Sequence, residues 1–345
     1  MNLPSFNLKQ EFLISDTPIG ENAPCFVIAE AGVSHFGDFQ KAIQLVDMAV
    51  EAKADAVKFQ IFNVDRMISE AANDWKERLA DRTLPYDDFA RLKEYCDSKR
   101  ILFTATAHEE QSLEYLHELD VPFYKIGSGE KNNVPYLREV GAQGKPVIYS
   151  TGMHEIADIR TGLAALTEAG NREIALLHCV TAYPTPPEQV NLGAMHDIRK
   201  TFEAVTGYSD HTEGTDIPLA AIAMGAKVIE KHITLEYNIP NAQDWKVSCG
   251  PENLKSFVAT IRKIEQAMGS GKKSISTTEN QSIAWATKSL VACRDLPAGH
   301  VLQKEDLIAK RPGTGISPTH LQNVIGKKLS AALKADGILT EAMLS

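Results

Sequence analysis

The sequence predicts an α/β protein whose main domain is a closed (β/α)8 TIM barrel, followed by a small β-rich domain. Three observations point there. Eight short apolar, β-branched runs recur between residues 25 and 235, separated by amphipathic stretches. The residue types best suited to chemistry fall at the C-terminal ends of those runs, where such a barrel carries its active site. After Gly271 the texture changes to a polar linker and then to brief β-like runs and turns.

The eight runs are CFVIAEAG (25–32), ADAVKFQIF (54–62), ILFTATA (101–107), FYKIGSG (123–129), PVIYSTG (146–152), IALLHCV (174–180), AVTGYSDH (204–211) and KVIEKHITL (227–235). Segments between them, such as FQKAIQLVDMAVEA and PYDDFARLKEYCDSK, repeat apolar residues at helical spacing. Near-continuous apolar strands alternating with helices require a parallel sheet covered on its outer face. An open doubly wound sheet would carry G-x-G-x-x-G after its first strand, whereas the chain reads EAGVSHFGD there. Before the barrel, EFLISDTPIG reads as a short hairpin able to plug the barrel floor. The predicted domains are therefore 1–271 for hairpin and barrel, 272–287 for the linker GKKSISTTENQS and its continuation, and 288–345 for the small domain.

Composition narrows the function classes. The 345 residues suffice for one large and one small domain, and 43% apolar with 23% charged residues is ordinary for a globular protein. No apolar run approaches the roughly 20 residues that span a bilayer, and MNLPSFNLKQEF lacks the basic and apolar regions of a secretory signal, so no membrane association and a cytoplasmic location are expected. The five cysteines are scattered without a C-x-x-C pair, which suggests reduced thiols. A net charge of −9 argues against nucleic acid as partner, but a few lysines can still set the potential of one anion pocket.

Residues two apart on a strand share a face. Lys58/Gln60, Ser209/His211 and Glu230/His232 are so spaced, and Glu30 ends the first run. A charge facing a barrel interior is expensive unless paired or used, so three such strands imply a site. His211 and His232, on neighbouring strands, suit a divalent metal with open positions for substrate and water. Lys58 and Lys125 suit a phosphate and a carboxylate, with Ser128, Ser150 and Ser209 completing the cradle. His35 lies near enough to the first strand end to line the site. A strand-end lysine can also form a Schiff base, which leaves an aldolase open, as does non-catalytic sugar binding.

At these residues the chain resembles the sialic acid synthase family, which includes N-acetylneuraminate, legionaminate and pseudaminate synthases and the spore coat polysaccharide protein E group. The matching stretches are IAEAGVSHFGD, AVKFQ, YKIGSGE, YSTGM, LHCVTAYPTPPEQVNL, GYSDHTEG, GAKVIEKHIT and RPGTGI, in family order through nearly the whole chain. The resemblance implies a C-terminal antifreeze-like (SAF) domain and a domain-swapped homodimer in which that domain covers the partner's active site. It implies condensation of phosphoenolpyruvate with an N-acyl-mannosamine-type sugar and water to a nonulosonic acid and phosphate, for surface polysaccharide synthesis. Manganese or magnesium would be bound by His211 and His232. Phosphoenolpyruvate would be held by Lys58, Thr106, Lys125, Ser128, Ser150 and Ser209. The sugar side would involve Glu30, Gln60, Glu130, Tyr183 and Asp244, with Arg311 reaching the partner's sugar, and Glu30 or Glu130 would handle protons.

The chain departs from the family pattern in places. The common N-H-N-G-D reads Ser34-His35-Phe36-Gly37-Asp38, the Asn before Tyr-Pro is Ala182, S-T-P-F-D after the third strand appears as ATAHE, and D-H after the eighth is Asp244-Trp245. The loop after the second strand reads as short. These changes flank the sugar pocket more than the metal and phosphate pocket.

Overall fold

The structure is a computed structural model that describes residues 5–240 and 242–345. It divides into two compact units, residues 1–269 and 270–345.

In the first unit β1 (Glu11–Ile14) and β2 (Thr17–Gly20) form an antiparallel hairpin. The eight barrel strands follow: β3 (Phe26–Gly32), β4 (Ala56–Ile61), β5 (Leu102–Ala107), β6 (Tyr124–Ile126), β7 (Val147–Ser150), β8 (Ile174–Cys179), β9 (Val205–Asp210) and β10 (Val228–His232). All are parallel in the order β5-β4-β3-β10-β9-β8-β7-β6. The remaining junction, between β5 and β6, is joined by the Thr104 hydroxyl donating to the Phe123 carbonyl at 2.9 Å. The result is a nearly closed barrel ringed by helices, as the sequence predicts.

Strand alternation sorts the core. Outward residues such as Val27, Val57, Phe103 and Ile229 pack with the apolar stripes of the helices in one large cluster. Inward residues at the strand starts, Phe26, Ala56, Ala175, Val205 and Val228 among them, form a second cluster with Phe12, Ile14 and Ile19 of the hairpin. The hairpin thus fills the barrel floor. Toward the C-terminal ends the same inward face turns polar, which leaves a site instead of a packed core. Gly207 permits the approach of β9 to β10, since a Cβ there would collide with the Val228 carbonyl.

Two readings of the sequence need correction here. The segment after β4, read as a short loop, is an excursion over 62–85 with helical pieces at Val64–Met67, Glu70–Ala72 and Asn73–Ala80. The first two start at the side-chain caps Asn63 and Ser69, while Asn73–Ala80 has no side-chain cap and buries no residue. His35 is fully buried against Phe59 of the outer core, ring centroids 6.0 Å apart, and does not line the barrel cavity.

In the second unit the residues read as linker contain a helix, Thr277–Ala286, started by a capping box between Ser276 and Glu279. The helix has no buried face, so amphipathic periodicity did not announce it. Beyond it β11 (Ser289–Ala292) pairs antiparallel with β12 (Leu307–Lys310) over a core of Leu290, Leu296, Leu302, Leu329, Leu333 and Leu339. Asp306 ties this unit together, accepting from Arg294, His300 and the Gln303 N–H. Among the described residues no helix is long and apolar enough to cross a membrane. The cysteines are free, and all but Cys293 are buried.

Candidate active site

Barrel register builds the site. It sets Glu30 of β3 beside Lys58 of β4 and His232 of β10, Gln60 beside Thr106 of β5, and Glu230 of β10 beside Ser209 of β9. All these side chains face inward above the apolar floor, around a cavity of about 150 Å3.

Two carboxylates and two ammonium groups alternate in it. Lys58 Nζ lies 2.9 Å from Glu30 Oε2 and donates to Thr106 Oγ1 at 2.8 Å. Its distance to Glu230 Oε2 is 3.8 Å. Lys125 Nζ is 3.4 Å from Glu230 Oε1 and donates to Ser150 Oγ (2.8 Å) and the Ile126 carbonyl (3.1 Å). Ser209 donates to Glu230 Oε1 at 2.9 Å, and Gln60 donates to Glu30 Oε1 at 3.2 Å. Ser128 Oγ accepts the Gly152 N–H at 2.8 Å.

The electrostatics follow from burial and neighbours. Burial pushes the Glu30 carboxyl up, to about 7, against the pull of Lys58. Burial acts on Glu230 the same way, but Lys125 and Lys58 outweigh it and hold that group well below the usual carboxylate range. Burial likewise opposes charge on Lys58, yet Glu230 and Glu30 raise its pKa. At Lys125 burial prevails over Glu230 and the pKa is lowered.

The two histidines meet at the rim of this charge cluster, ring centroids 5.3 Å apart. His211 Nδ1 donates to the Val180 carbonyl (2.7 Å) and Nε2 is hydrogen-bonded to the Tyr183 hydroxyl at 2.8 Å; against burial, Cys179 and the Val180 carbonyl raise the pKa of this ring. His232 is fully buried, and burial reinforced by His211 drives its pKa well below the ordinary value. Its Nδ1 is buried without a hydrogen-bond partner among the described residues. Two imidazoles, one of them kept neutral by burial and carrying an orphaned nitrogen, offer donors that fit a divalent cation whose other positions stay open. No group of three or more His, Cys, Asp or Glu side chains is arranged to hold a metal among the described residues.

The structure brings together Glu30, Lys58, Gln60, Thr106, Lys125, Ser128, Ser150, Tyr183, Ser209, His211 and His232 around one cavity. Other residues singled out in the sequence lie outside it. Glu130 sits in the 3-10 turn Ser128–Asn132, accepts from Asn133 Nδ2 at 2.8 Å and does not line the cavity. Asp244 opens the turn Asp244–Val247; burial raises its pKa while His211 and Arg82 pull it down. Arg311 belongs to the second unit, exposed after β12 and before a cis bond to Pro312. Sequence reasoning undervalued Glu230, the partner shared by both lysines, although it lies two residues before His232. It missed His108, Cys179 and Thr181, which also line the cavity. His108 could have been found, since it continues the inward alternation of Thr104 and Thr106.

Comparison with known proteins agrees with this architecture. Residues 45–273 match the NeuB family and residues 287–345 match the SAF domain. An N,N'-diacetyllegionaminic acid synthase of Legionella pneumophila is 39% identical over 335 residues, covering 92% of this chain and 94% of the relative. Human N-acetylneuraminate-9-phosphate synthase is 33% identical, covering 94% of each chain. The crystal structure of an N-acetylneuraminic acid synthetase from Leptospira borgpetersenii in complex with citrate superposes with a TM-score of 0.75 at 34% identity, over 80% of this chain and 96% of that one. The chain is a member of the NeuB family, the sialic acid synthase family that the sequence motifs resemble, and carries a C-terminal SAF domain.

Proposed function

We propose that the chain is a nonulosonic acid synthase that condenses phosphoenolpyruvate with an N-acylated amino sugar of the N-acyl-mannosamine type. The observation that carries this reading is the cavity itself. Two buried lysines and the hydroxyls of Thr106, Ser150 and Ser209 stand beside two imidazoles around one cavity. Relatives named as legionaminic and neuraminate-9-phosphate synthases support the substrate class.

In this reading Lys58 and Lys125 bind the phosphate and carboxylate of phosphoenolpyruvate, and Ser128, Ser150 and Ser209 orient it. Glu230 holds both ammonium groups in place and, with Glu30, offsets their charge. Manganese or magnesium, held by His211 and His232, would polarise the aldehyde of the open-chain sugar when bound. Gln60 and Tyr183 border the space left for that sugar, with Asp244 and Arg311 as its further contacts. C3 of phosphoenolpyruvate forms the new bond to the aldehyde carbon, whose oxygen takes up a proton; water adds at C2 and gives up its protons, and cleavage of the C2–O bond to the phosphate releases phosphate and leaves the C2 ketone. Glu30 is the proton-handling residue: it faces the cavity, whereas Glu130 does not, and its raised pKa lets it exchange a proton near neutrality. The assembly is a homodimer with the SAF domain placed over the partner's site, in the cytoplasm.

Phosphate release from phosphoenolpyruvate tests this, with N-acetylmannosamine, its 6-phosphate and 2,4-diacetamido-trideoxy sugars as acceptors, with manganese and with EDTA. Release that needs both acceptor and metal is expected. Metal-independent turnover would remove the metal's role. Lys125, with its lowered pKa, supports one second reading, a Schiff-base aldolase. Borohydride inactivation in the presence of a keto acid would favour it.

A further inference from the structure

We infer that His108 is an additional anion-binding residue of the cavity, whose imidazole donates a ring N–H to the phosphate or carboxylate of phosphoenolpyruvate. The inference rests on the proposed synthase reading and deepens it.

His108 follows β5 directly and continues its inward alternation, two residues beyond Thr106, whose hydroxyl receives the Lys58 ammonium. It lines the same cavity as Lys58, Lys125 and Ser128. Its backbone N–H donates to the Ile61 carbonyl at 3.3 Å, and Phe62 meets its ring edge-on with centroids 5.9 Å apart. The next residue, Glu109, fixes this corner. Its carboxylate accepts the N–H groups of Asn63 and Gln111 and pairs with Arg66 at 3.3 Å, clamping the start of the 62–85 excursion against β5.

So placed, the half-buried ring has a backing and a held backbone but no hydrogen-bond partner among the described residues, and its nitrogens are open to the cavity. Neither ring nitrogen makes a hydrogen bond among the described residues, in a cavity where Lys58, Lys125, Gln60, Ser209 and His211 all have partners. The charges it feels most are cationic. Burial, then Lys58 and Lys125, push its pKa down to about 4, so it stands neutral on the ammonium side of the cavity. A neutral imidazole there adds a donor without adding a third positive charge to the cavity, and either tautomer can supply the N–H. A ligand seated between the two lysines must be anionic, and its outer oxygens supply the missing acceptor.

The competing account is that His108 only fills space against Phe62, and two variants separate the two. His108→Phe keeps the aromatic packing and removes the donor, while His108→Gln restores an amide N–H at a similar reach. Calorimetric titration with phosphoenolpyruvate alone, on the full-length protein with manganese present, reads binding without turnover. A loss of about tenfold in affinity is expected for His108→Phe, the size of one hydrogen bond to a charged group. Recovery of most of that loss is expected in His108→Gln, with the acceptor KM unchanged in both. Equal affinity for wild type and His108→Phe would assign the ring to packing and leave the synthase reading intact. A wild-type protein that binds no phosphoenolpyruvate would overturn both.

Discussion

Lys125 Nζ stands 3.4 Å from Glu230 Oε1 with both side chains almost fully buried, and the same carboxylate lies 3.8 Å from Lys58. Glu230 is therefore shared between two ammonium groups above an apolar floor, with Glu30, 2.9 Å from Lys58, supplying the second negative charge. Removing one partner of a buried ion pair typically costs about 3–5 kcal/mol because the other charge is stranded. Glu230→Ala is expected to lower unfolding free energy in urea by that order. The double variant Lys125→Met/Glu230→Ala should be less destabilised than the sum of its single variants. Strict additivity would show that the two groups do not interact.

The histidines lead to a prediction about metal. His211→Ala and His232→Ala are each expected to lose manganese binding, read by paramagnetic resonance of the free ion, and to lose acceptor-dependent phosphate release by at least about 100-fold. Their circular dichroism should stay native, because the strands are held by their own backbone ladders and the ring bond between strand ends, His211 Nδ1 to the Val180 carbonyl, lies beyond those ladders. Tyr183→Phe removes only the hydroxyl that caps His211 Nε2 and should keep the metal. Full activity in either alanine variant would end the assignment of the metal to this pair.

How much of this was legible beforehand depends on which residues had local signals. The eight strands were readable because each is a brief apolar run between turn residues, and the hairpin's Phe12, Ile14 and Ile19 alternate as a buried face must. Lys58, Gln60, His211 and His232 were readable because a two-residue spacing fixes a shared face. Glu230 was visible in the same way, but its contact with both Lys58 and Lys125 depends on closure of the barrel, which brings β4, β6 and β10 around one space. His35 carried a misleading signal: beyond the strand end alternation lapses, and its ring turned to the outer core. The helix Thr277–Ala286 hid in a polar segment because its start is set by a cap and not by a buried stripe.

Glu30 sets the expected pH dependence. Burial holds its proton up to about 7, compared with 4.5 for a free glutamate. The folded state therefore binds that proton more tightly than the unfolded chain, so this group takes stability away as pH rises from about 4.5 to about 7. If the carboxylate is the working form, kcat/KM for phosphoenolpyruvate should rise with pH through the same region and level off above it. Glu30→Gln should abolish that limb of the profile and flatten the stability change. A profile that keeps its limb in Glu30→Gln would assign the proton to another group.

Arg311 carries the prediction about assembly. It is exposed in the second unit, and its role comes from the proposed dimer, in which it would complete the sugar site of the other subunit. Arg311→Ala should raise the acceptor KM by about tenfold or more, the loss of a charged hydrogen bond, with the KM for phosphoenolpyruvate little changed. Mixing gives the sharper test. Arg311→Ala subunits keep a metal site, and His232→Ala subunits keep an arginine. If each active site draws on both subunits, mixed dimers hold one intact site, and random exchange should restore about a quarter of wild-type activity from two poorly active preparations. If the arginine serves its own subunit, no mixed dimer has an intact site and activity stays at the average of the two variants. Subunit exchange followed by a turnover assay at low acceptor concentration therefore decides whether the site belongs to one chain or two.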